Sequence, residues 1–436
     1  MPSRLTAAVI VDGQSSFDPW HDSTKRGRLA NEVPFRPDLR LACVAELEDR
    51  LGLPRLPASA HIARQVLLAN LVYAAARSPD TCVFYSRDRN FYADQPDSRA
   101  TATFFKLSAM TAAVQSLEDP GLIAHWRTAP SPWAEFRSRI RATETLVSRL
   151  GPIQAADFIF EPNRVVVLRD TNGRSVDFLE SRDLGRIRRD VEAQNRYLTG
   201  FDIRVQHPTA RYDDRGFLYV GNRWLNPYRR AYHRVFNIDF SHGGRWYGPF
   251  WQGLPSKVRP GLVIDGKPTV EVDFRACHPR LLCARVGLDL PYEDPGFDFY
   301  GGDGDARKQI KLAFNIALNA ANPQSGLAAI AQRFFKEDWG KGQRAAFPLA
   351  RDTLDQISRR YPALAGLINT GIGLRLQNHD ARICTRVQRH FRDHEVPCLS
   401  IHDSFVVPSH CKITLQEVME QEMQNELRFI RPLTNQ

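Results

Sequence analysis

The sequence predicts a multidomain α+β protein, and three features support this prediction. The chain has 436 residues, enough for about two to four domains. Hydrophobic residues make up 43% of it, which allows large buried cores and excludes a disordered chain. Apolar residues recur at helical spacing in some segments, as at 59–77, and alternate with polar residues in others, as at 269–274. Both helices and strands are therefore expected.

Charge and cysteine content limit the class of partner and the cellular compartment that we expect. The chain carries 59 Lys and Arg residues against 49 Asp and Glu residues, a formal net charge of +10. This excess suits a polyanionic partner such as nucleic acid but does not require one. No apolar run approaches a membrane span, and the N-terminus lacks a signal-peptide pattern. Seven cysteines form no C-x-x-C pair, which favours reduced thiols. We therefore expect a cytoplasmic protein without a membrane segment.

The chain divides into five regions by its periodicity and its turn residues. It contains no repeat period and no low-complexity tract. The predicted regions are an irregular lead-in (1–58), a helical nucleic-acid-binding module (59–150), a connecting region (151–240), the domain that carries the candidate chemistry (241–410) and a C-terminal helix (411–436).

The second region has the element order of a winged-helix module. Periodicity predicts a helix over Ser59–Arg77, a second helix with Ser108 as its N-cap, and a strand over Leu122–Trp126. Winged-helix modules place one helix in a major groove and a basic hairpin on phosphates. The alternative is that the basic residues are only the solvated face of a hairpin. The candidate DNA contacts are on a returning strand: Arg137, Arg139 and Arg141.

The connecting region predicts short strands and then a basic helix. Strand-like runs occur at 156–160, 165–168 and 176–178, and a turn at 170–173 separates the last two. Aromatic residues and arginines interleave from about residue 220. That mixture is typical of nucleic-acid contact, because bases stack on aromatic rings, but it is equally typical of a protein interface.

The first candidate for chemistry is Asp273. It ends a run in which Val270 and Val272 alternate with polar residues, as in a strand with one buried face. A helix is predicted to follow, so Asp273 is either a helix cap or a functional carboxylate.

The second candidate is a stripe on a predicted helix over 307–320. Arg307, Lys311, Asn315 and Asn319 are spaced four apart, and each four-residue step turns only about 40° around a helix. Two cations and two amides on one stripe suit a triphosphate and its sugar. The alternative is an ordinary solvated helix face.

The third candidate is Asp403, at the tip of a predicted hairpin between two apolar runs. It is either a turn former or a carboxylate beside a buried sheet. If neighbouring strands bring Asp273 and Asp403 together, the pair can hold two divalent cations about 3.5–4 Å apart, Mg²⁺ or Mn²⁺. Nearby cations would then neutralise a triphosphate, because phosphoryl transfer depends mainly on positioning and charge.

These segments, in this order, resemble the palm and fingers of family A nucleic-acid polymerases, which include DNA polymerases and, more distantly, single-subunit RNA polymerases. The resemblance covers about residues 240–408. The matching segments are Gly243-Gly244-Arg245 (the TGR segment), Trp251–Pro255 (LQNIP), Val270–Leu282 (motif A), Asp298–Tyr300 (Asp-Ile/Val-His), Arg307-x3-Lys311 (motif B), Gln377 before a helical run, and Ile401-His402-Asp403 (motif C).

The resemblance implies a right-hand polymerase palm with an antiparallel sheet, compact helical fingers and a role for each matching residue. Asp273 and Asp403 would be the catalytic, metal-binding carboxylates, and Lys311 would also be catalytic. The partners would be DNA, as primer–template or single strand, and dNTPs or rNTPs. The implied nucleotide-binding residues are Arg307, Lys311, His278, Asn315, Asn319 and Phe274, and the implied nucleic-acid-binding residues are Arg245, Gln377, His402 and Arg280.

The sequence also departs from the family pattern. His278 stands where DNA polymerases have a glutamate that crowds the sugar 2′ position, and Asn315 and Asn319 replace aromatic residues. A bulky imidazole either excludes a ribose hydroxyl or hydrogen-bonds to it. No convincing set of exonuclease carboxylates and no full-length thumb are evident, although 151–240 is a thumb-like candidate.

The leading hypothesis is a template-directed nucleotidyltransferase of the DNA polymerase type, which transfers a nucleotide to a primer 3′-hydroxyl by two-metal-ion chemistry. The alternatives are a DNA-directed RNA polymerase or primase, and a replication-initiator or regulatory DNA-binding protein with an inactive polymerase-like domain.

Overall fold

The computed structural model describes residues 10–12, 32–93, 104–127, 138–161, 164–294, 296–339 and 342–430. Helices and strands are both present, so the predicted α+β class is confirmed. The helices are α1 (Val44–Leu51), α2 (Ala58–Arg77), α3 (Arg89–Ala93), α4 (Leu107–Glu118), α5 (Glu144–Ser148), α6 (Arg182–Leu198), α7 (Cys277–Arg285), α8 (Gly304–Asn319), α9 (Pro323–Lys336), α10 (Gln343–Arg360), α11 (Gly373–Asp393) and α12 (Lys412–Phe429).

The strands are short, apart from one of nine residues. They are β1 (Ile10–Asp12), β2 (Glu32–Pro34), β3 (Leu39–Leu41), β4 (Cys82–Tyr85), β5 (Ile123–Arg127), β6 (Ser138–Ala142), β7 (Phe158–Phe160), β8 (Val166–Arg169), β9 (Ser175–Val176), β10 (Ile203–Val205), β11 (Ala210–Tyr212), β12 (Leu218–Val220), β13 (Arg223–Leu225), β14 (His233–Asn237), β15 (Asp239–Tyr247), β16 (Leu262–Ile264), β17 (Lys267–Asp273), β18 (Leu399–Ile401) and β19 (Ser404–Pro408).

The N-terminal part is built on a mixed sheet in the order β1-β5-β6-β4-β2, with β2 parallel to β4. Helices α2 and α4 pack together, and their apolar faces share one core with the sheet, including the fully buried Leu67, Val83 and Ile140. The β5–β6 hairpin is the one that the sequence predicts to be the basic wing of a winged-helix module. Instead β6 also pairs with β4 and β5 also pairs with β1, so both strands are internal to the sheet.

Residues 32–51 also differ from the expected irregular lead-in. They form β2, β3 and α1, and Leu39 and Leu47 are fully buried in the N-terminal core. Their elements are too short for periodicity to be visible, and β3 pairs with the distant β7. Long-range pairing therefore orders a segment whose local pattern predicts little.

The C-terminal part is built on an antiparallel sheet in the order β10-β16-β17-β19-β18. Helices α7 and α11 pack together, α11 also contacts β18 and α12 contacts β17 and β19, while α8, α9 and α10 pack against one another at one side. Phe314 of α8, Val387 of α11 and Phe405 of β19 are fully buried in the shared core. The sheet and α8 therefore belong to one packed unit.

The expectations about cysteines and about membrane-spanning segments can be compared with this structure. All seven cysteines are free thiols, and all but Cys43 are buried. In the described residues, no helix is both long enough and apolar enough to cross a membrane.

Candidate active site

The two candidate carboxylates lie beside each other on the antiparallel sheet. Asp273 is the last residue of β17 and pairs with Ser404, the first residue of β19. Asp403 directly precedes Ser404 in the tight turn between β18 and β19. The amide of Phe274 donates a hydrogen bond to the carbonyl oxygen of Asp403 at 3.3 Å. The register of the sheet therefore brings together two acids that are distant in sequence.

Asp273 does not cap the helix that follows it. The N-cap position of α7 is Ala276, in the left-handed region with φ of 52°, and no side chain caps the helix there. The capping interpretation of Asp273 is therefore wrong. Its carboxylate is only partly desolvated, and it interacts with the Ser404 side chain rather than with the helix.

Electrostatic repulsion acts on the Asp273 carboxylate. Burial raises the pKa of Asp273, and the negative charges of Glu271 and Asp403 raise it further. Glu271 lies two residues earlier on the same face of β17, where Arg259 (2.8 Å) and the Ser404 hydroxyl (2.7 Å) donate hydrogen bonds to it. A cation at this position would relieve the repulsion between the carboxylates.

A cavity of about 470 Å³ opens beside Asp403. It lies between α7 and α8, and its wall contains both cationic and aromatic side chains. The lining residues are Phe274, Arg275, Ala276, Cys277, His278, Pro279, Tyr292, Phe297, Asp298, Phe299, Tyr300, Arg307, Lys311, Asn315 and Asp403.

Helix α8 contributes the predicted cations to this cavity. The Arg307 guanidinium donates a hydrogen bond to Asp298 at 2.5 Å, and its centre lies 5.7 Å from the Tyr300 ring. The Lys311 ammonium lies 5.9 Å from the same ring. Burial by itself would raise the pKa of Asp298, but the hydrogen bonds from Arg307 and the Tyr300 amide, together with the nearby positive charges, outweigh it and lower that pKa. Two positive charges therefore line one wall of the cavity.

The predicted amide stripe only partly faces the cavity. Asn315 lines it, whereas Asn319 is not among the lining residues. The Asn319 side chain donates a hydrogen bond to the Asn315 carbonyl at 2.8 Å, and its oxygen lies close to Gly373 of α11. Asn319 therefore steadies the end of α8 where α11 crosses it.

A buried carboxylate on α11 holds two of the predicted residues. Asp380 is 4% exposed. Its Oδ2 atom accepts a hydrogen bond from Arg245 at 2.5 Å and lies 2.8 Å from Nε2 of His278. Sequence reasoning missed Asp380. A signal was present, because Asp380 interrupts the apolar stripe of α11 between Leu376 and Cys384.

His402 is half-buried and has a left-handed backbone conformation. Its φ is 61°, in the left-handed region that β-turns can use, and its Nδ1 atom is buried with no hydrogen-bond partner among the described residues. Burial lowers the pKa of His402, and the charge of Arg245 lowers it further. The ring packs edge-on against Tyr247, with centroids 5.6 Å apart. Gln377 is half-buried on α11.

Other predicted nucleic-acid contacts have protein partners. Arg280 is 7% exposed and donates two hydrogen bonds to Glu420 of α12. Arg139 is 2% exposed and paired with Glu32, while Arg141 is paired with Asp80 at 2.8 Å. Arg137 lies outside the described residues. Burial removes Arg280 and Arg139 from the surface that a nucleic acid can reach.

No protein-family model matches this chain, and no curated protein matches it. Among solved structures it is similar to the POL domain of Pol1 from M. smegmatis, in complex with DNA primer-template and dNTP. The similarity covers 56% of this chain and 49% of that chain, at 15% sequence identity and a TM-score of 0.27. The chain therefore spans about half the length of that structure, and the similarity assigns no residue a role.

Proposed function

We propose that this chain is a template-directed nucleotidyltransferase that extends a primer 3′-hydroxyl with nucleotides from nucleoside triphosphates. One observation carries the proposal: Asp403 lines a cavity that Arg307 and Lys311 also line, and Asp273 lies next to the turn that carries Asp403, outside the lining itself. Paired carboxylates beside clustered cations suit phosphoryl transfer, in which positioning and charge neutralisation supply most of the catalysis. The order of the polymerase-like segments supports the same chemistry.

The oxygen donors of Asp273 and Asp403 suit Mg²⁺ or Mn²⁺. Within the described residues, no group of three or more His, Cys, Asp or Glu side chains is arranged to hold a metal. A site of two carboxylates would have to take its other ligands from water and substrate phosphates, as Mg²⁺ sites do. When bound, such cations would lower the pKa of the attacking hydroxyl and neutralise phosphate charge.

The cavity side chains have separate tasks in this proposal. The 3′-hydroxyl oxygen attacks the α-phosphorus while its proton passes to water, the bond between that phosphorus and the bridging oxygen breaks, and pyrophosphate leaves. Arg307 and Lys311 bind the triphosphate oxygens, and Lys311 donates a proton to the leaving pyrophosphate. Phe274 and Asn315 shape the pocket for the sugar and base.

The primer–template would contact the surface next to the two carboxylates. That surface is formed by Arg245, Gln377 and His402. Arg245 is 18% exposed at its side chain, and Asp380 fixes its orientation. A net charge of +10 favours a polyanionic partner of this kind. Arg141 and Arg137 stay candidates for DNA contact in the N-terminal part, whereas the buried Arg139 and Arg280 do not.

The proposal is tested by supplying labelled dNTPs or rNTPs with Mg²⁺ or Mn²⁺ on primed and unprimed DNA and RNA templates. We expect primer lengthening by template-encoded nucleotides, lost on addition of EDTA. Product on unprimed template would instead identify a primase or RNA polymerase. Specific duplex binding without metal-dependent incorporation of any nucleotide would overturn the proposal in favour of a regulatory DNA-binding protein.

A further inference from the structure

The arginines of the segment 220–236, where aromatic residues and arginines interleave, differ in their hydrogen-bond acceptors. Arg223, Arg230 and Arg234 each donate hydrogen bonds to main-chain carbonyl oxygens, so all three hold neighbouring segments together. The guanidinium of the half-buried Arg229 has no hydrogen-bond acceptor and no ion-pair partner among the described residues. Its nitrogen atoms are not among the buried, unpartnered polar atoms of that part of the chain, so a ligand can reach them.

The positive charge of Arg229 is also unbalanced. Both Arg36 and Arg229 lie over the Phe160 ring, with their guanidinium carbons 5.3 Å and 6.0 Å from its centroid. Burial lowers the pKa of Arg229, and the charge of Arg36 lowers it further. The neighbouring acid, Asp38, already accepts hydrogen bonds from Nε and Nη2 of Arg36, at 3.3 Å and 2.7 Å. A half-buried cation without an acid of its own is unfavourable unless an anion joins it.

Buried asparagines fix the backbone of both arginines. Asn70 of α2, 3% exposed, accepts a hydrogen bond from the Arg36 amide at 2.7 Å and donates one to the Arg36 carbonyl at 2.9 Å. The carbonyl of Asn226 accepts a hydrogen bond from the Arg229 amide at 3.1 Å. The Asn226 side chain donates to the carbonyl of Ala155, which is buried in the N-terminal core, at 2.9 Å. The turn that carries Arg229 is therefore tied to the N-terminal part.

Side-chain contacts connect this junction with the candidate active site. His233 of β14 pairs with Tyr247 of β15, and their rings are 6.4 Å apart. The Tyr247 ring in turn lies 5.6 Å from the ring of His402, which precedes Asp403. Burial lowers the pKa of His233 to about 4, and the charge of Arg229 lowers it further. A short series of neighbours thus leads from Arg229 to the turn that carries Asp403.

We propose that Arg229 binds a phosphate of a nucleic-acid backbone, so that the junction between the N-terminal and C-terminal parts holds the bound strand. The inference rests on the proposed nucleotidyltransferase function, because the primer–template is then the polyanion that reaches this junction. A guanidinium group binds phosphate oxygens through two parallel hydrogen bonds. Contacts of this kind position a nucleic acid without reading its sequence.

The inference is tested by equilibrium binding of a fluorescein-labelled primed DNA, measured without nucleotide at several salt concentrations. Arg229→Gln should raise the Kd by about tenfold. It should also reduce the slope of log Kd against log salt concentration by about 0.9, which corresponds to the loss of one phosphate contact. Arg229→Lys should keep the wild-type slope with a smaller loss of affinity, because it retains the charge but not the fork of donors. Arg55→Gln, at an exposed position before α2, removes the same charge and should keep the wild-type Kd and slope.

Urea unfolding separates phosphate binding from a structural role of Arg229. Because Arg229 has no acid of its own, Arg229→Gln should keep the wild-type unfolding midpoint or raise it. A lowered midpoint with wild-type DNA binding would identify a structural arginine and overturn the inference. Binding of inorganic phosphate that Arg229→Gln loses, with an unchanged Kd for DNA, would also overturn it, in favour of a site for free phosphate.

The same binding data distinguish failure of the inference from failure of the proposed function. Primer extension together with a wild-type Kd and slope in Arg229→Gln would refute the phosphate site and leave nucleotidyl transfer intact. A raised Kd in Arg229→Gln, without incorporation of any nucleotide by the wild type, would support the phosphate site and refute only the proposed function. No binding of primed DNA by the wild type would refute both.

Discussion

The amide of Phe274 donates a hydrogen bond to the carbonyl oxygen of Asp403, at 3.3 Å. This bond joins the residue after Asp273 to the turn that carries Asp403, and the β17–β19 ladder continues from it. The two carboxylates are therefore held relative to each other by sheet backbone. Sites on such elements keep their geometry more accurately than sites on loops.

The triphosphate-binding role of α8 predicts a defect in nucleotide binding. Lys311→Ala and Arg307→Ala each remove a cation from the cavity wall. A hydrogen bond to a charged group contributes about 1.5–3 kcal/mol, so the KM for nucleotide should rise by about 10- to 100-fold. Lys308→Ala is the matched control, because Lys308 is exposed on the same helix and pairs with Asp305. Steady-state kinetics at varied nucleotide concentration measure the effect, and equal KM values in all four proteins would contradict it.

Replacing Gly244, next to Arg245, with alanine should destabilise the protein. Its φ is 88°, and a Cβ atom there would lie 2.5 Å from the Phe236 ring. Left-handed strain and overpacking together should lower the free energy of unfolding of Gly244→Ala by about 2–4 kcal/mol. Gly266→Ala is the control, since its φ is 72° but no atom lies within 4 Å of the added Cβ. Its loss should be only about 1 kcal/mol. Urea unfolding measures both, and equal losses would contradict the packing argument.

Glu426 predicts a pH-dependent contribution to stability. Burial by itself would raise the pKa of Glu426, but the hydrogen bond from His379 and the charges of Arg382 and Arg386 outweigh it and lower that pKa below 4.5. A carboxylate whose pKa is lower in the folded state stabilises the protein fully at pH above its unfolded-state pKa. This contribution is lost as the pH falls through the folded-state pKa.

The measurement compares wild type with Glu426→Gln. Near pH 7 the free energy of unfolding of the variant should be about 1–3 kcal/mol lower, because the variant removes the buried negative charge that His379, Arg382 and Arg386 share. The difference should shrink as pH falls below about 4.5. Glu417→Gln, at an exposed position on the same helix, should change stability by less than about 0.5 kcal/mol. A difference that stays constant with pH would contradict the ionic account.

Local sequence patterns predicted the helices and strands of the site better than the contacts between its side chains. Alternation predicted β17, and the four-residue spacing predicted α8, which spans Gly304–Asn319. The partner of Arg245 and His278 could not be predicted from local spacing, because Asp380 lies more than a hundred positions from each.

In the N-terminal part, too, local patterns predict single elements but not how distant strands pair. The helix over Ala58–Arg77 agrees with its periodicity to within one residue. The pairing of β6 with β4 does not follow from either strand's own pattern, and it makes the expected wing an internal part of a sheet. Burial of Arg139 follows from that pairing.

The most direct test of the account is metal-dependent primer extension by Asp273→Asn and Asp403→Asn, beside the exposed control Asp289→Asn. We predict that the first two variants lose extension while their urea unfolding midpoints remain near wild type, and that the control extends normally. Wild-type extension by either Asp273→Asn or Asp403→Asn would contradict the assignment of the catalytic carboxylates.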